Sequence, residues 1–377
     1  RKGRRGFSCC GLRTSLAKAG CKTQGTECGF VPFVPWALSV FRVLGYDSAS
    51  MPKLIDIHAR TIRRPMRMAF TTALGSKREA VSVLVRADLG GGVSGLGEVP
   101  TSFVLPAETA PAIRRTLREA ARLLCGRDVK DALSDLSTLR QRVPARAMTF
   151  SGLEVALLRA ELASRGVSEW THWGGKLKTI RSDITIFFTP DPDPLQQWID
   201  QAVDGGFDIF KVKTSGKVDA DVAFLRTVLE LLARRLERFT LRLDGNQGYT
   251  ARSLERTFAR LDRAGIDYEL FEQPLAKDDY AGMKHVARSA PRPILLDETV
   301  FVRADLQRAI DEGLGHGVNV KIAKSGPREA KALLALARRA GLRTMIGCMS
   351  ETMVGLSAGI LLAAGLPVLA RERIDMS

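Results

Sequence analysis

The chain has 377 residues, 45% of them hydrophobic, and a formal net charge of +16, a length that allows two domains and a sizeable buried core. The positive charge raises nucleic acid as a partner, but the lysines and arginines are spread over many helix-like stretches rather than gathered on one, which argues against it. No apolar run reaches the roughly 20 residues that a membrane span requires, so no membrane partner is expected.

Residues 1–50 differ from the rest. They open on RKGRRG, show no sustained helix or strand period, and hold Cys9, Cys10, Cys21 and Cys28. The cysteine gaps are irregular and no histidine lies near, so a zinc site is not expected. Only Cys125 and Cys348 follow, the usage of a reducing, cytoplasmic compartment. The apolar stretch 30–44 precedes Ser48-Ala49-Ser50, a cleavage-like pattern, but lies far from the start for a signal peptide. The segment reads as a non-native or disordered extension, with Met51 as the first residue of the folded chain.

Residues 51–182 read as an α+β capping domain. Two β-rich runs, 54–62 and 80–87, lead to the turn Gly90-Gly91-Gly92 and then to Gly95-Leu96-Gly97-Glu98. Helical patterns follow at 107–124, 129–143 and 152–165; the first repeats apolar residues at Ile113, Leu117, Ala120, Ala121 and Leu124.

From residue 183 to 377 the pattern becomes a short apolar strand followed by an amphipathic helix, repeated. The strands are expected at 184–188, 209–213, 240–244, 268–272, 294–297, 317–321 and 343–347, with starts 23 to 31 residues apart. That is one βα unit each and predicts an α/β fold, a closed (β/α) barrel of parallel strands. An eighth strand is expected after the helix 350–364. Only 367–371 offers one, so the barrel reads as truncated there.

In such a barrel the C-terminal strand ends share one mouth. Consecutive strands here end in Lys211-Val212-Lys213, Asp244-Gly245-Asn246, Glu272-Gln273-Pro274, Asp297-Glu298 and Lys321, with Lys324 beyond. Asp244, Glu272 and Asp297 would repel one another without a cation among them, and hard oxygen ligands suit one Mg2+. Lys211 and Lys213 share a strand face by alternation. Lys321 lies four strands on, which is the opposite wall of an eight-stranded barrel. A buried lysine near a cation loses proton affinity and becomes a base. Bases on both faces invert a stereocentre. A proton beside a carboxylate is weakly acidic, and its removal gives an enediolate that a divalent cation stabilises.

These stretches, with Phe210-Lys211-Val212-Lys213, Phe271-Glu272-Gln273-Pro274-Leu275 and Val318-Asn319-Val320-Lys321, resemble the enolase superfamily, whose sites pair a lysine or histidine base with Mg2+. The likeness runs from about residue 53 to 365. The Lys-x-Lys pair with a second lysine is similar to the muconate-lactonizing subgroup, and Gly347-Cys348-Met349-Ser350-Glu351 is similar to its dipeptide epimerases of the L-Ala-D/L-Glu epimerase kind. The resemblance implies an enolase-type modified barrel with Lys213 and Lys321 as acid/bases, Lys211 as their neighbour, and Asp244, Glu272 and Asp297 on Mg2+. It implies substrate contacts from Cys348, Met349, Asn246 and Glu98, the last from a second cap loop, Gly95-Leu96-Gly97-Glu98-Val99-Pro100, where it either contacts substrate or supports the cap. Lys324 is expected past the mouth, either on the surface or supporting the site from behind.

Two departures stand out. Dipeptide epimerases carry Asp-x-Asp at the end of strand eight, and the chain closes on Arg371-Glu372-Arg373-Ile374-Asp375-Met376-Ser377 without it. Members acting on Ala-Glu carry an arginine on the first cap loop, just after a Phe-x-Thr-Ala-Leu stretch; here Phe70-Thr71-Thr72-Ala73-Leu74 is followed by Gly75, with Lys77 and Arg78 further on. The resemblance implies an isomerase acting by two-lysine proton transfer on a dipeptide or acyl amino acid. A muconate-type cycloisomerase, an N-acyl amino acid racemase and a truncated, inactive barrel are the alternatives, and self-association stays open. Because residues 1–50 lack an amphipathic pattern, their deletion is expected to leave the thermal unfolding midpoint nearly unchanged; a drop of several degrees contradicts this reading.

Overall fold

The computed structural model describes residues 51–176, 179–189, 191–366 and 375–376, so the expectations for 1–50 and 367–371 lie outside the described residues. The chain begins with β1 (Leu54–Thr72), β2 (Gly75–Leu89) and β3 (Val93–Pro100), a three-stranded antiparallel sheet in that order. β1 is much longer than its apolar run. Beyond Ile62 it stays paired with β2 through Pro65↔Glu79, then shifts register before Phe70↔Lys77. That irregular arm carries the hairpin tip over the barrel.

Three helices cover the sheet: α1 (Ala110–Leu124), α2 (Val129–Arg142) and α3 (Ala147–Ser164). Thr109 caps α1 by accepting from Ala112 N, and Pro111 occupies its first turn, where no intrahelical N–H is lost. α3 is buried on almost all sides. The expected glycine loop at Gly95 to Pro100 is corrected here: it is strand β3. Its glycines let α3 approach backbone to backbone. A Cβ on Gly97 would lie 2.0 Å from the Gly152 carbonyl oxygen, and one on Gly95 would lie 2.1 Å from that of Ala156.

A short helix, α4 (Glu169–Trp173), leads into the barrel. Its elements are β4 (Arg181–Ser182), β5 (Ile184–Ile186), α5 (Pro192–Asp204), β6 (Ile209–Lys213), α6 (Val218–Ala233), β7 (Thr240–Asp244), α7 (Ala251–Arg263), β8 (Phe271–Glu272), α8 (Tyr280–Ser289), β9 (Ile294–Leu296), α9 (Arg303–Glu312), β10 (Gly317–Lys321), α10 (Ile322–Ser325), α11 (Pro327–Arg339), β11 (Arg343–Gly347), α12 (Met353–Gly365) and β12 (Asp375–Met376). The sheet order is β4-β12-β11-β10-β9-β8-β7-β6-β5.

β4 and β5 flank Asp183 as two halves of one strand, so the ring closes. The eighth position of the ring is filled by β12, paired parallel with β11 and β4, while the expected 367–371 lies outside the described residues. Two residues close the ring, and so short a strand leaves no period in the sequence. Inside the barrel, below the mouth, Leu270, Leu295 and Met345 form a small apolar cluster. Beside it the buried Arg242 donates to Asp183 Oδ2 at 3.0 Å and to Glu269 Oε2 at 2.8 Å.

Polar bonds tie the sheet and its helices to the barrel. Arg328 of α11 donates to Glu154 Oε1 at 2.7 Å and to Ser137 Oγ at 2.9 Å. Arg159 of α3 donates to the Val354 carbonyl at 2.9 Å and to Ser357 Oγ at 2.8 Å. The cap is thus bonded to the barrel through its helices α2 and α3. Among the described residues no helix is long and apolar enough to cross a membrane. Because the backbone of α3 lies directly against Gly97, Gly97→Ala is expected to destabilise the protein by about 2–4 kcal/mol in denaturant unfolding; an unchanged midpoint would show slack between β3 and α3.

Candidate active site

The alternation of β6 turns Lys211 and Lys213 into the barrel and Phe210 and Val212 toward the helices. The same parity places Arg242 and Asp244, Leu270 and Glu272, Leu295 and Asp297, and Asn319 and Lys321 inward. Leu270 and Leu295 fill the lower layer beside Lys211, Arg242 and Asn319, and charged groups fill the upper one.

Asp244, Glu272 and Asp297 are fully buried, and Lys211, Lys213 and Lys321 nearly so. Lys213 Nζ donates to Asp244 Oδ2 at 2.5 Å, Lys321 Nζ to Asp297 Oδ2 at 2.6 Å, and Lys211 Nζ to Glu272 Oε2 at 3.3 Å. Asn319 Nδ2 donates to Glu272 Oε1 at 2.7 Å. The structure thus brings together all six residues expected at the strand ends, with Lys213 and Lys321 four strands apart.

Lys324 is not past the mouth. It is buried and donates to Asp297 Oδ1 at 2.6 Å and to the Val300 carbonyl at 3.0 Å. It sits one helical turn beyond Lys321, in α10, a spacing that alone does not distinguish an inward lysine from a solvated one.

The lysine chemistry also departs from expectation. Burial alone would lower the pKa of Lys211 and Lys321. The surrounding carboxylates, Glu272 first for Lys211 and Asp297 first for Lys321, outweigh that and raise both. The three carboxylates feel one another: burial raises the pKa of Glu272, and Asp244 and Asp297 add to the rise. Among the described residues no three acidic, histidine or cysteine side chains stand in a ready metal-ligand cluster, because each of these carboxylates is turned onto an ammonium.

The donor set nonetheless suits a hard cation. Three buried carboxylates end adjacent strands, and beside them Glu298 Oε2 and Asn246 Oδ1 are buried oxygens without a hydrogen-bond partner. Asn246 stands next to Asp244, whose Oδ1 accepts from Asn246 N at 2.9 Å, and its Nδ2 faces Glu298 Oε1 at 3.5 Å. A cavity of about 1150 Å³ adjoins Glu298 and Thr299 without reaching the lysines.

Gln273 had no assigned role in the sequence. Its Oε1 accepts from Asp297 N at 2.8 Å and Thr299 N at 3.1 Å, which fixes the end of β9 from β8. It does so at φ 29°, and Asn246 and Gln247 lie at φ 39° and 67°. These are conformations L residues rarely adopt, held by the surrounding packing at the strand ends.

The roof of the mouth comes from the hairpin tip. The Phe70 ring lies 6.0 Å from Lys213 Nζ and 4.9 Å from the Phe187 ring. Lys77 Nζ sits 5.2 Å from Phe70 and 5.8 Å from Phe103, and burial lowers its pKa. Cys348 and Met349 follow β11 at the level just above Lys321, whose pairing partner is Gly347. Burial pushes the Cys348 thiol up to about 11, with the Glu351 charge adding to it. Ser102 Oγ lies 3.9 Å from Met349 Sδ. Glu98 is placed differently from a substrate contact: its carboxylate accepts from Thr352 N at 3.0 Å, Thr352 Oγ1 at 2.6 Å and Gly355 N at 3.1 Å, at the N-terminus of α12.

Fold and site together define a (β/α)-barrel enzyme with a fixed α+β cap. Residues 195–375 match the family described as enolase C-terminal domain-like. The chain is 30% identical over 316 residues to an aromatic dipeptide epimerase of Herpetosiphon aurantiacus, covering 84% of this chain and 88% of that one. Its fold is similar to the solved dipeptide epimerase of Enterococcus faecalis complexed with Mg and L-Leu-L-Tyr, with a TM-score of 0.77, 26% identity and coverage of 86% and 90%. It is also similar to the muconate lactonizing enzyme of Pseudomonas fluorescens complexed with muconolactone, with a TM-score of 0.75, 25% identity and coverage of 86% and 87%. The chain belongs to the enolase superfamily, and its relatives there include epimerases, which are isomerases.

Glu351 supplies a pH test. Burial, with the Glu98 charge adding to it, lifts its pKa from the usual 4.5 to about 7. The folded state therefore binds this proton more tightly than the unfolded one. Its contribution is fully present below pH 4.5 and is lost as pH rises to about 7. Glu351→Gln keeps an acceptor for Met349 N and removes the titration. The melting temperature of this variant minus that of the wild type is expected to grow by several degrees between pH 4.5 and pH 7 and to level off above. A difference independent of pH refutes the assignment.

Proposed function

We propose that the protein is a Mg2+-dependent epimerase that inverts the carbon next to a carboxylate of a dipeptide by two-lysine proton transfer. The observation that carries this reading is the placement of Lys213 and Lys321 on strands four apart, each bonded into one set of buried carboxylates. The named activities of the relatives support it.

Asp244, Glu272 and Asp297 would hold the Mg2+. When bound, the cation supplies positive charge to those carboxylates and to the substrate carboxylate where negative charge develops. Lys213 takes or returns a proton on one face of the α-carbon, and Lys321 does so on the other. Lys211, on the same strand face as Lys213, places a third ammonium beside Glu272 and orients the substrate carboxylate. Asn246 and the Cys348–Met349 pair would border the rest of the dipeptide, and Phe70 closes the roof over Lys213 and excludes water.

Cycloisomerisation is the second reading, favoured by the likeness to a muconate lactonizing enzyme; it would use the same lysines and carboxylates. The test is deuterium uptake into each epimer of a dipeptide in heavy water, followed by NMR. The wild type should wash deuterium into both epimers. Lys213→Ala should lose exchange from one epimer and Lys321→Ala from the other, because proton transfer requires contact at roughly 3 Å. Either variant should lower epimerisation by about 10³-fold. Near wild-type interconversion in either variant refutes the two-base mechanism, and absence of exchange from any dipeptide in the wild type refutes the substrate class.

A further inference from the structure

Glu98 is fixed by its own strand before it reaches the barrel. Its backbone runs against α3 without slack, since a Cβ on Gly152 would lie 2.5 Å from the Glu98 carbonyl oxygen. Its side chain is 3% exposed. All of the bonds to its carboxylate come from one turn of the barrel: Thr352 N, Thr352 Oγ1 and Gly355 N. Thr352 is also the N-cap of α12, accepting from Val354 N at 3.3 Å. A charged acceptor on the first-turn N–H groups of a helix is a strong, directional anchor.

What the anchor holds lies at the mouth. Between Gly347, paired with Lys321, and Thr352 run only Cys348, Met349, Ser350 and Glu351. This segment is folded on itself. Glu351 N donates to the Met349 carbonyl at 2.9 Å, and Glu351 Oε2 accepts from Met349 N at 2.9 Å. The Glu351 carboxylate rests on α12, where a Cβ on Gly355 would meet its Oε1 at 2.2 Å. Four residues beyond Glu98, Ser102 touches Met349 Sδ from the same stretch of the cap. The segment is thus pinned at one end by strand pairing to the lysine strand and at the other by a cap carboxylate.

We propose that Glu98 is a positioning residue: from the cap, through the first turn of α12, it sets where Cys348 and Met349 stand in the mouth. It touches no reacting atom and acts only through Thr352 and Gly355. That the segment borders substrate rests on the epimerase reading above; that Glu98 sets its position does not. The arrangement also explains why the cap is rigidly tied to the barrel. A roof that moved would drag one wall of the site with it.

The experiment uses the full chain and two readouts. The first is the alkylation rate of Cys348 by iodoacetamide, followed by peptide mass spectrometry, with Cys125 in the same protein as a control for general loosening. The second is the split between KM and kcat on dipeptides. Glu98→Ala leaves two backbone N–H groups and a hydroxyl without their acceptor. It should speed Cys348 alkylation about tenfold with Cys125 unchanged, and raise KM about tenfold with kcat within about threefold.

Unchanged Cys348 alkylation and unchanged KM in folded Glu98→Ala would overturn the proposal, as would equal acceleration at Cys125. If Glu98→Ala does not fold, Thr352→Val decides. It removes one donor to Glu98 at nearly constant volume and should move Cys348 alkylation and KM about threefold in the same directions; no change in either overturns the proposal. If the wild type turns over no dipeptide, the epimerase reading fails, and Cys348 alkylation alone decides the positioning role.

Discussion

Three carboxylates, Asp244, Glu272 and Asp297, are carried out of water at the ends of adjacent barrel strands, and most of the site follows from the need to answer that charge. An uncompensated buried carboxylate costs several kcal/mol and is met by protonation, by cations or by hydrogen bonds. Here four lysines converge on the three carboxylates: Lys213 on Asp244, Lys211 on Glu272, and Lys321 with Lys324 on Asp297. The pair Lys321 and Lys324 drives the Asp297 pKa well below the carboxylate range despite its burial. Glu272, with one lysine and an asparagine, goes the other way. The network is unevenly charged, and beside it Asn246 Oδ1 and Glu298 Oε2 are buried without a hydrogen-bond partner.

That network also sets how rigid its supports must be. Strained backbone at Asn246, Gln247 and Gln273 is tolerated because packed strands and the Gln273 side chain leave those turns no alternative. Above them the cap is bonded to the barrel by Glu98, Arg159 and the Glu154–Arg328 pair. Such a site can hold charged groups in place during a reaction without spending interaction energy on rearrangement.

The strand ends were legible in the sequence because two regularities coincide there. Residue alternation fixes which side chains turn inward, and the βα repeat brings every strand's end to one mouth. The strands at 209–213, 240–244, 317–321 and 343–347 stand at their expected bounds. Glu98 was harder to read. Gly95 and Gly97 look like loop residues until α3 is seen pressing on them, because their purpose is a close approach made by a distant helix. β12 left no signal in the sequence, since two residues carry no period. The buried position of Lys324 depends on α10 turning back over Asp297, a tertiary fact invisible to local pattern. The lysine pKa values depend on the sum of all surrounding charges, which no single motif reports.

We propose that Asp244, Glu272 and Asp297 act together as one cation-binding set between the lysines. Isothermal titration of Mg2+ into the wild type and into Asp244→Asn, Glu272→Gln and Asp297→Asn, at one pH and ionic strength, measures it most directly. One ion per wild-type chain is expected, with at least about tenfold weaker binding in each variant, since each removes a charged oxygen ligand. Wild-type affinity in all three variants would show that these carboxylates serve only as partners for the lysines.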